Sequence, residues 1–305
     1  MRIVFMGSPG FSVPLLRGLF EAGYEIVGVY TNPDRPKGRG RAIEGTPVKK
    51  EALRLSLPVF QPERLEDERD RLYALSPEVI IVSAYGKILP KWLLELPEKG
   101  CLNVHPSLLP RHRGPAPIPF TILSGDEETG VSIILMEEKV DAGPIIGIRR
   151  IKISPDDTYG SLEEKLSILA RDLLLEILPL WIEGKIKPEP QDETRATYTR
   201  LIRREDLFID FRASSRDVWL KVRAFSPRPS AFTTWKGKIL KILKVSPVGR
   251  KGRAGEVFAL EGKPCVFTED GAVMLLEVQP EGKRVMSGED FLRGRRDFIG
   301  EILPS

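Results

Sequence analysis

The chain alternates between two hydrophobic periods over its first half and changes character after that. Arg2 to Met6 is a short apolar run that ends in Gly7-Ser8-Pro9-Gly10, and Phe11, Val13, Leu15, Leu16, Leu19 and Phe20 then recur at helical spacing. The pattern predicts a strand, a glycine-rich turn and a helix. The Gly7 to Gly10 spacing does not fit Gly-x-Gly-x-x-Gly, so a tight βα turn is preferred over a dinucleotide site. Glu25 to Tyr30 reads as a second strand, and a helix opens near Thr46-Pro47. Val79 to Ser83 is apolar throughout, as a central parallel strand buried on both faces would be. Pro117 to Ser124 reads as helix, Val131 to Met136 and Ile145 to Ile153 as strands, and Ser161 to Glu183 as one long amphipathic helix.

Gly184 to Arg200 carries Lys, Pro, Gln, Asp and Thr without apolar periodicity and reads as an inter-domain linker. After a helix over Ser215 to Ala224 come five short strands: Ala231 to Trp235, Lys238 to Val245, Gly255 to Ala259, Cys265 to Thr268 and Val273 to Val278. Gly or Pro stands at nearly every break, and a helix over Gly288 to Arg293 follows. Strands alternating with helices imply an open, mostly parallel α/β sheet; short strands without crossover helices imply a small barrel. The expected division is residues 1–184, a linker over 185–204, and a barrel domain over 205–305.

At 305 residues, with 41% hydrophobic and 30% charged positions, the chain suits two globular domains. Residues 201–305 hold 20 Lys and Arg against 14 Asp and Glu, a net of +6, which leaves −2 for residues 1–200. The surplus points to a polyanionic partner for the second part, with a well-solvated surface as the plain alternative. Two distant cysteines, Cys101 and Cys265, imply no disulfide framework and a reducing compartment. Two Cys and two His without paired spacing imply no metal site. No apolar run approaches the ~20 residues of a membrane span, so the expectation is a cytoplasmic protein.

The chemistry concentrates in residues 101 to 114, Cys-Leu-Asn-Val-His-Pro-Ser-Leu-Leu-Pro-Arg-His-Arg-Gly, which contain both histidines of the chain. Asn103 and His105 are two apart in a run that Pro106 stops, so on a strand both leave the same face at its C-terminal tip. In an open parallel sheet that tip faces the ligand crevice. An amide donor beside an imidazole suits a carbonyl turning tetrahedral: one holds the oxyanion and the other moves a proton. A capped structural histidine is the ordinary alternative for such a position. Two further stretches stand out. Thr31 to Arg41 is a long connection with two glycines and the basic residues Arg35, Lys37, Arg39 and Arg41, either a solvated charge run or an arm for a phosphate backbone. Ala84-Tyr85-Gly86-Lys87-Ile88-Leu89-Pro90 leaves a strand at the same edge as His105, and Gly86 permits close approach of a flat ligand.

Asn103-x-His105-x-Ser107-Leu108-Leu109-Pro110, followed by Arg113-Gly114, resembles the signature of the folate-dependent formyltransferases, and Asp141 in Val140-Asp141-Ala142-Gly143-Pro144 matches their Asp-x-Gly position. The resemblance implies an N-terminal Rossmann-like, doubly wound sheet with a C-terminal OB-like β-barrel. It implies Asn103, His105 and Asp141 as catalytic, and Ser107, Leu108, Leu109, Pro110, Tyr85, Gly86, Ile88 and Leu89 as lining a folate pocket. Length, the opening Phe-Met-Gly-Ser-Pro-Gly-Phe, the basic loop, Gln191-Asp192-Glu193 and Gln279-Pro280-x-Gly282-Lys283 are similar to the tRNA-directed branch. That branch implies transfer of the formyl group of 10-formyltetrahydrofolate to the methionyl amine of initiator tRNA for translation initiation, by a monomer without metal. Arg35, Lys37, Arg39 and Arg41 would then lie toward the tRNA acceptor end, and the barrel along the acceptor arm. Family members carry Gln or Asn where Pro119 stands, so no substrate contact is carried over there. Three alternatives stay open: a formyltransferase acting on an amino sugar nucleotide, a hydrolase releasing formate from the same folate, and a non-catalytic RNA-binding protein.

Overall fold

The computed structural model of the chain describes residues 1–37 and 42–304. Arg39 and Arg41 therefore lie outside the described residues. Two compact units emerge: residues 1–117, 128–152 and 163–200 form the first, and 118–127, 153–162 and 201–305 the second.

The first unit holds strands β1 (Arg2–Gly7), β2 (Glu25–Tyr30), β3 (Arg35–Lys37), β4 (Ala42–Glu44), β5 (Val59–Phe60), β6 (Val79–Ser83), β7 (Cys101–His105), β8 (Glu128–Leu135) and β9 (Ile145–Lys152). Seven of them form one sheet in the order β5-β2-β1-β6-β7-β8-β9. From β5 to β7 every pairing is parallel, whereas β7–β8 and β8–β9 are antiparallel. The mostly parallel sheet expected from the alternating pattern is therefore mixed at one side. Every residue of β6 is buried, which explains why its sequence is apolar throughout instead of alternating.

From β1 the chain steps outward to β2 and then returns to β6 on the other side. The C-terminal ends of β1 and β6 thus form the switch point, where a crevice opens in sheets of this kind. The turn after β1 is fastened there: Ser12 Oγ donates to the Ser83 carbonyl at 2.7 Å and lies 2.9 Å from Ser83 Oγ. A Cβ at Gly7 would come within 2.8 Å of the Ser83 carbonyl oxygen, so the close approach requires glycine. This is the tight βα turn that the glycine spacing favoured.

Helix α1 (Val13–Glu21) follows the turn and buries Leu15, Leu16 and Leu19. Helix α2 (Pro47–Arg54) starts where the sequence indicates, with Thr46 accepting from the Lys49 N–H at 3.1 Å and Pro47 in the first turn. Its Glu51 is buried and receives Arg17 Nε at 2.6 Å and Arg54 Nη2 at 2.8 Å. Helices α3 (Arg69–Leu75), α4 (Lys91–Leu94) and α5 (Pro117–Leu123) are short, and α6 (Tyr159–Ile182) is the long amphipathic one. Gly18 of α1 lets α6 pack closely, since a Cβ there would sit 2.7 Å from Arg171 Cγ.

The stretch read as a linker follows the first unit as far as Arg200. Ile145 and Glu189 exchange two backbone hydrogen bonds at 2.7 and 2.8 Å. Thr197 and Thr199 then bind the segment after β7: Arg113 N–H donates to the Thr197 carbonyl at 2.9 Å, and Thr199 N–H to the Arg113 carbonyl at 2.7 Å. A strap held by main-chain bonds needs no apolar period, so its polar composition resembled a linker.

The second unit contains α7 (Ser215–Phe225), capped by Ser214, and strands β10 (Ala231–Trp235), β11 (Lys238–Val248), β12 (Val257–Leu260), β13 (Lys263–Phe267), β14 (Ala272–Pro280) and β15 (Met286–Ser287), followed by α8 (Gly288–Gly294). The sheet is antiparallel, in the order β10-β11-β14-β13-β12, with β15 beside β14. The small barrel expected here takes this form, and β10 and β12 share no strand pairing among the described residues. Trp235, Phe291 and Phe298 meet edge to face in its core, with centroids 5.0 to 5.8 Å apart.

Candidate active site

Strand β7 is parallel to β6 and ends at His105, where Pro106 cannot continue the ladder. Asn103 and His105 lie on one face of β7, and both reach Asp141, which stands in the turn between β8 and β9. Asn103 Nδ2 donates to Asp141 Oδ1 at 3.0 Å. His105 Nδ1 lies 3.6 Å from Asp141 Oδ2. The backbone N–H of Gly114 donates to the same Oδ2 at 2.7 Å. The carboxylate is therefore shared by an amide, an imidazole and a main-chain donor, and its side chain is only 11% exposed.

His105 is buried, and its Nε2 lies 2.9 Å from the His112 carbonyl oxygen. A carbonyl can only accept, so Nε2 carries the hydrogen. Nδ1 is then the ring nitrogen that faces Asp141. At 3.6 Å the contact exceeds an ordinary N–H···O distance.

Unusual backbone supports the arrangement. Asp141 has φ 50° and His112 φ 60°, left-handed values that Asp and His tolerate better than most residues. Gly114 has φ 106°, and a Cβ there would meet the Thr199 carbonyl at 2.8 Å. Gly143 is as confined, since its Cβ would overlap the Leu135 carbonyl. The turn that carries Asp141 thus sits directly on β8.

A fully buried guanidinium lies behind this turn. All five N–H donors of Arg113 find acceptors: Nε and Nη2 on Gln191 Oε1 at 3.1 and 2.8 Å, Nη2 and Nη1 on the two oxygens of Glu193 at 2.6 and 3.2 Å, and Nη1 on the Tyr198 hydroxyl at 3.2 Å. Glu193 also receives Lys139 Nζ at 2.7 Å. Hydrogen bonds from Arg113 and then Lys139 hold the Glu193 carboxyl at about 2, and Glu193 in turn raises both cations. Gln191 Nε2 donates to the carbonyls of Asp141 at 2.9 Å and Gly143 at 2.7 Å.

The signature residues beyond Pro106 divide between framework and rim. Ser107 is buried, with Oγ donating to the Arg111 carbonyl at 2.7 Å. Ser132 Oγ accepts from Leu109 N–H at 3.1 Å and donates to the Ser107 carbonyl at 2.8 Å. Leu109 is buried, and Leu108 and Pro110 are half-buried. In the loop after β6, Tyr85 and Leu89 belong to the hydrophobic core, whereas Gly86 and Ile88 are exposed, Ile88 by 81%. Asn32 Nδ2 donates to the Tyr85 carbonyl at 2.9 Å, tying this loop to the tip of β2. Of the four residues expected to line a pocket there, two therefore pack inward and two face the rim. Arg35 is exposed and lies 3.6 Å from Glu63, and Lys37 ends β3, which pairs with β4.

Reading from the sequence did not single out Gly114, Arg113 or Gln191 for the site. Arg113-Gly114 and Gln191-Asp192-Glu193 stand in the sequence as marks of resemblance without a role. Among the described residues, no group of three His, Cys, Asp or Glu could hold a metal ion.

An open sheet that brings an amide, an imidazole and a carboxylate to one rim, joined to an antiparallel unit, fits a formyl transferase. The pattern of the Formyl transferase family matches residues 1–178, and that of the Formyl transferase C-terminal domain matches residues 201–296. The methionyl-tRNA formyltransferase of Bacillus subtilis is 46% identical over 308 residues, covering 99% of this chain and 97% of the relative. That of Myxococcus xanthus is 45% identical, covering 97% and 95%. The chain belongs to the methionyl-tRNA formyltransferase family. Among solved structures, an N-formyltransferase from Helicobacter canadensis superposes with a TM-score of 0.69 at 18% identity, covering 91% of this chain and 98% of that one. HypX from Aquifex aeolicus, solved with tetrahydrofolic acid, superposes with a TM-score of 0.67 at 22% identity. The chain spans about half of the length of HypX, 47%. Both likenesses are of fold.

Proposed function

We propose that this protein transfers the formyl group of 10-formyltetrahydrofolate to the α-amine of methionyl initiator tRNA, giving N-formylmethionyl-tRNA for translation initiation. The observation that carries the reading is the Asp141 carboxylate with Asn103 and His105 at its two oxygens. Its relatives' shared name supplies the acceptor.

In the reaction a neutral amine attacks the formyl carbon, a new C–N bond forms, and the old C–N bond to the folate breaks. The proton lost by the amine ends on the departing nitrogen. Asn103 has a second Nδ2–H beyond the one given to Asp141, and this donor holds the oxygen as negative charge develops on it. Nδ1 of His105 takes the proton and returns it, with Asp141 stabilising the charged imidazole. The amine is itself a good nucleophile, so no covalent enzyme intermediate is needed.

The folate lies in the crevice between the loops after β6 and β7. Main-chain groups at Gly86 and the apolar side chain of Ile88 border one wall, and Leu108 and Pro110 the other. Arg35, Lys37, Arg39 and Arg41 supply cations for the acceptor end of the tRNA. Residues 201–305, with their net charge of +6, follow the acceptor arm. The protein acts as a cytoplasmic monomer and uses no metal.

An acid-gel assay tests this reading. Protein, 10-formyltetrahydrofolate and methionyl initiator tRNA are mixed, and the aminoacyl-tRNA is resolved by whether its amine is blocked. A folate-dependent shift is expected. Formate release without any blocked amine would assign the protein to hydrolysis instead, and a shift only with an amino sugar nucleotide would move the acceptor.

A further inference from the structure

We infer that Gln191, locked by the buried Arg113, is a positioning residue for Asp141, so that the strap after α6 completes the active site. The inference rests on the formyl-transfer reading for its kinetic test only. Gln191 has four hydrogen-bonding positions, and all four are used: Oε1 accepts twice from Arg113, and Nε2 donates to the carbonyls of Asp141 and Gly143. An amide held this way cannot rotate, because exchanging its oxygen and nitrogen would set donor against donor and acceptor against acceptor.

The clamp acts where the backbone most needs it. Asp141 sits at φ 50° in a turn whose neighbour Gly143 is pressed on the Leu135 carbonyl, and a left-handed Asp persists only when its surroundings hold it. Gln191 ties together the carbonyls on both sides of Ala142. Arg113 reaches Asp141 by a second route, since its chain neighbour Gly114 donates to Oδ2. One guanidinium therefore fixes both the main chain and the carboxylate of Asp141. Glu193 and Lys139 complete the ion group on its outer side. A buried cation with five bonds is costly to install unless every donor is matched, and here the match leads to the catalytic carboxylate.

Replacement of Gln191 by Glu separates positioning from bulk structure. The variant keeps the shape and strengthens the contact with Arg113, yet it points an oxygen at two carbonyl oxygens where a donor is required. For Gln191→Glu, kcat is expected to fall by about tenfold or more, in keeping with the loss of a residue that orients a reacting group. KM for each substrate is expected to stay within about twofold. In an Asp141→Asn background the same change should cost little further, because the residue it positions is already lost. Wild-type kcat in Gln191→Glu, or an undiminished second loss in the double variant, would overturn the inference.

A readout that needs no activity accompanies these. In Gln191→Glu, hydrogen–deuterium exchange should accelerate in peptides covering 112–116 and 139–145 while the rest of the sheet stays protected. Unchanged exchange in both peptides would contradict the clamp even if the wild-type protein formylated a different acceptor. Failure of wild-type protein to block methionyl-tRNA would count against the proposed function alone.

Discussion

Asn103 donates its side-chain N–H to Oδ1 of Asp141 at 3.0 Å, which fixes the amide with nitrogen toward the carboxylate. The bond joins the end of β7 to the turn before β9, and it leaves one amide hydrogen for a reacting oxygen. Asn103→Ala removes both and should lower kcat by about a hundredfold or more, the usual loss for one oxyanion donor. Asn103→Asp should be no better, because it faces one carboxylate with another. Steady-state kinetics with methionyl-tRNA checks both variants, and wild-type turnover in Asn103→Ala would remove this residue from the mechanism.

Gly114 couples conformation to chemistry. Its φ of 106° and the Thr199 carbonyl 2.8 Å from a would-be Cβ leave no room for a side chain. Gly114→Ala should cost about 1 to 3 kcal/mol of stability and displace the donor to Asp141, so that urea melts and kcat fall together. A variant with unchanged midpoint and rate would show that the strap yields easily.

Glu51 makes the first unit sensitive to acid. The Glu51 carboxyl is held at about 2, below its ordinary 4.5, by hydrogen bonds from Arg54 and Arg17. A depressed folded value means that the stabilisation is complete above about pH 4.5 and is lost as pH falls toward 2. Glu51→Gln should destabilise the protein by roughly 2 kcal/mol at neutral pH, allowing for the half-exposed guanidinia, and by progressively less in acid. Thermal melts from pH 7 to pH 3 would reveal the convergence, and parallel curves would exclude Glu51 as its source.

The tRNA reading predicts steep salt dependence. Each phosphate contact releases counterions, so six to ten contacts cost about 10³ to 10⁵ in affinity between 50 and 200 mM salt. Filter binding of initiator tRNA measures the slope, and Arg39→Ala should flatten it without changing folate affinity. An affinity indifferent to salt would contradict a polyanionic substrate.

Much of this architecture was legible in residue order. The all-apolar run 79–83 announced a strand buried on both faces, and Thr46-Pro47 announced a helix start, because each depends on neighbours in sequence. Asn103 and His105 were legible as a pair from period two and a terminal proline. The strap was not. Thr197, Thr199 and Gln191 act through hydrogen bonds to residues some fifty to eighty-six positions away, and polar side chains with long-range partners leave no periodic trace. Tyr85 and Leu89 flank Gly86 and Ile88 in sequence, yet their side chains turn into the core while Gly86 and Ile88 stay outside.

The central claim is that Asp141 unites Asn103, His105 and Gly114 for formyl transfer, and Asp141→Asn tests it most directly. The amide preserves size but removes the charge that faces the imidazole. Single-turnover formylation of methionyl initiator tRNA, with enzyme in excess, should slow by at least about a hundredfold while folate binding and melting temperature stay near wild type. A single-turnover rate equal to that of the wild-type protein would contradict the account.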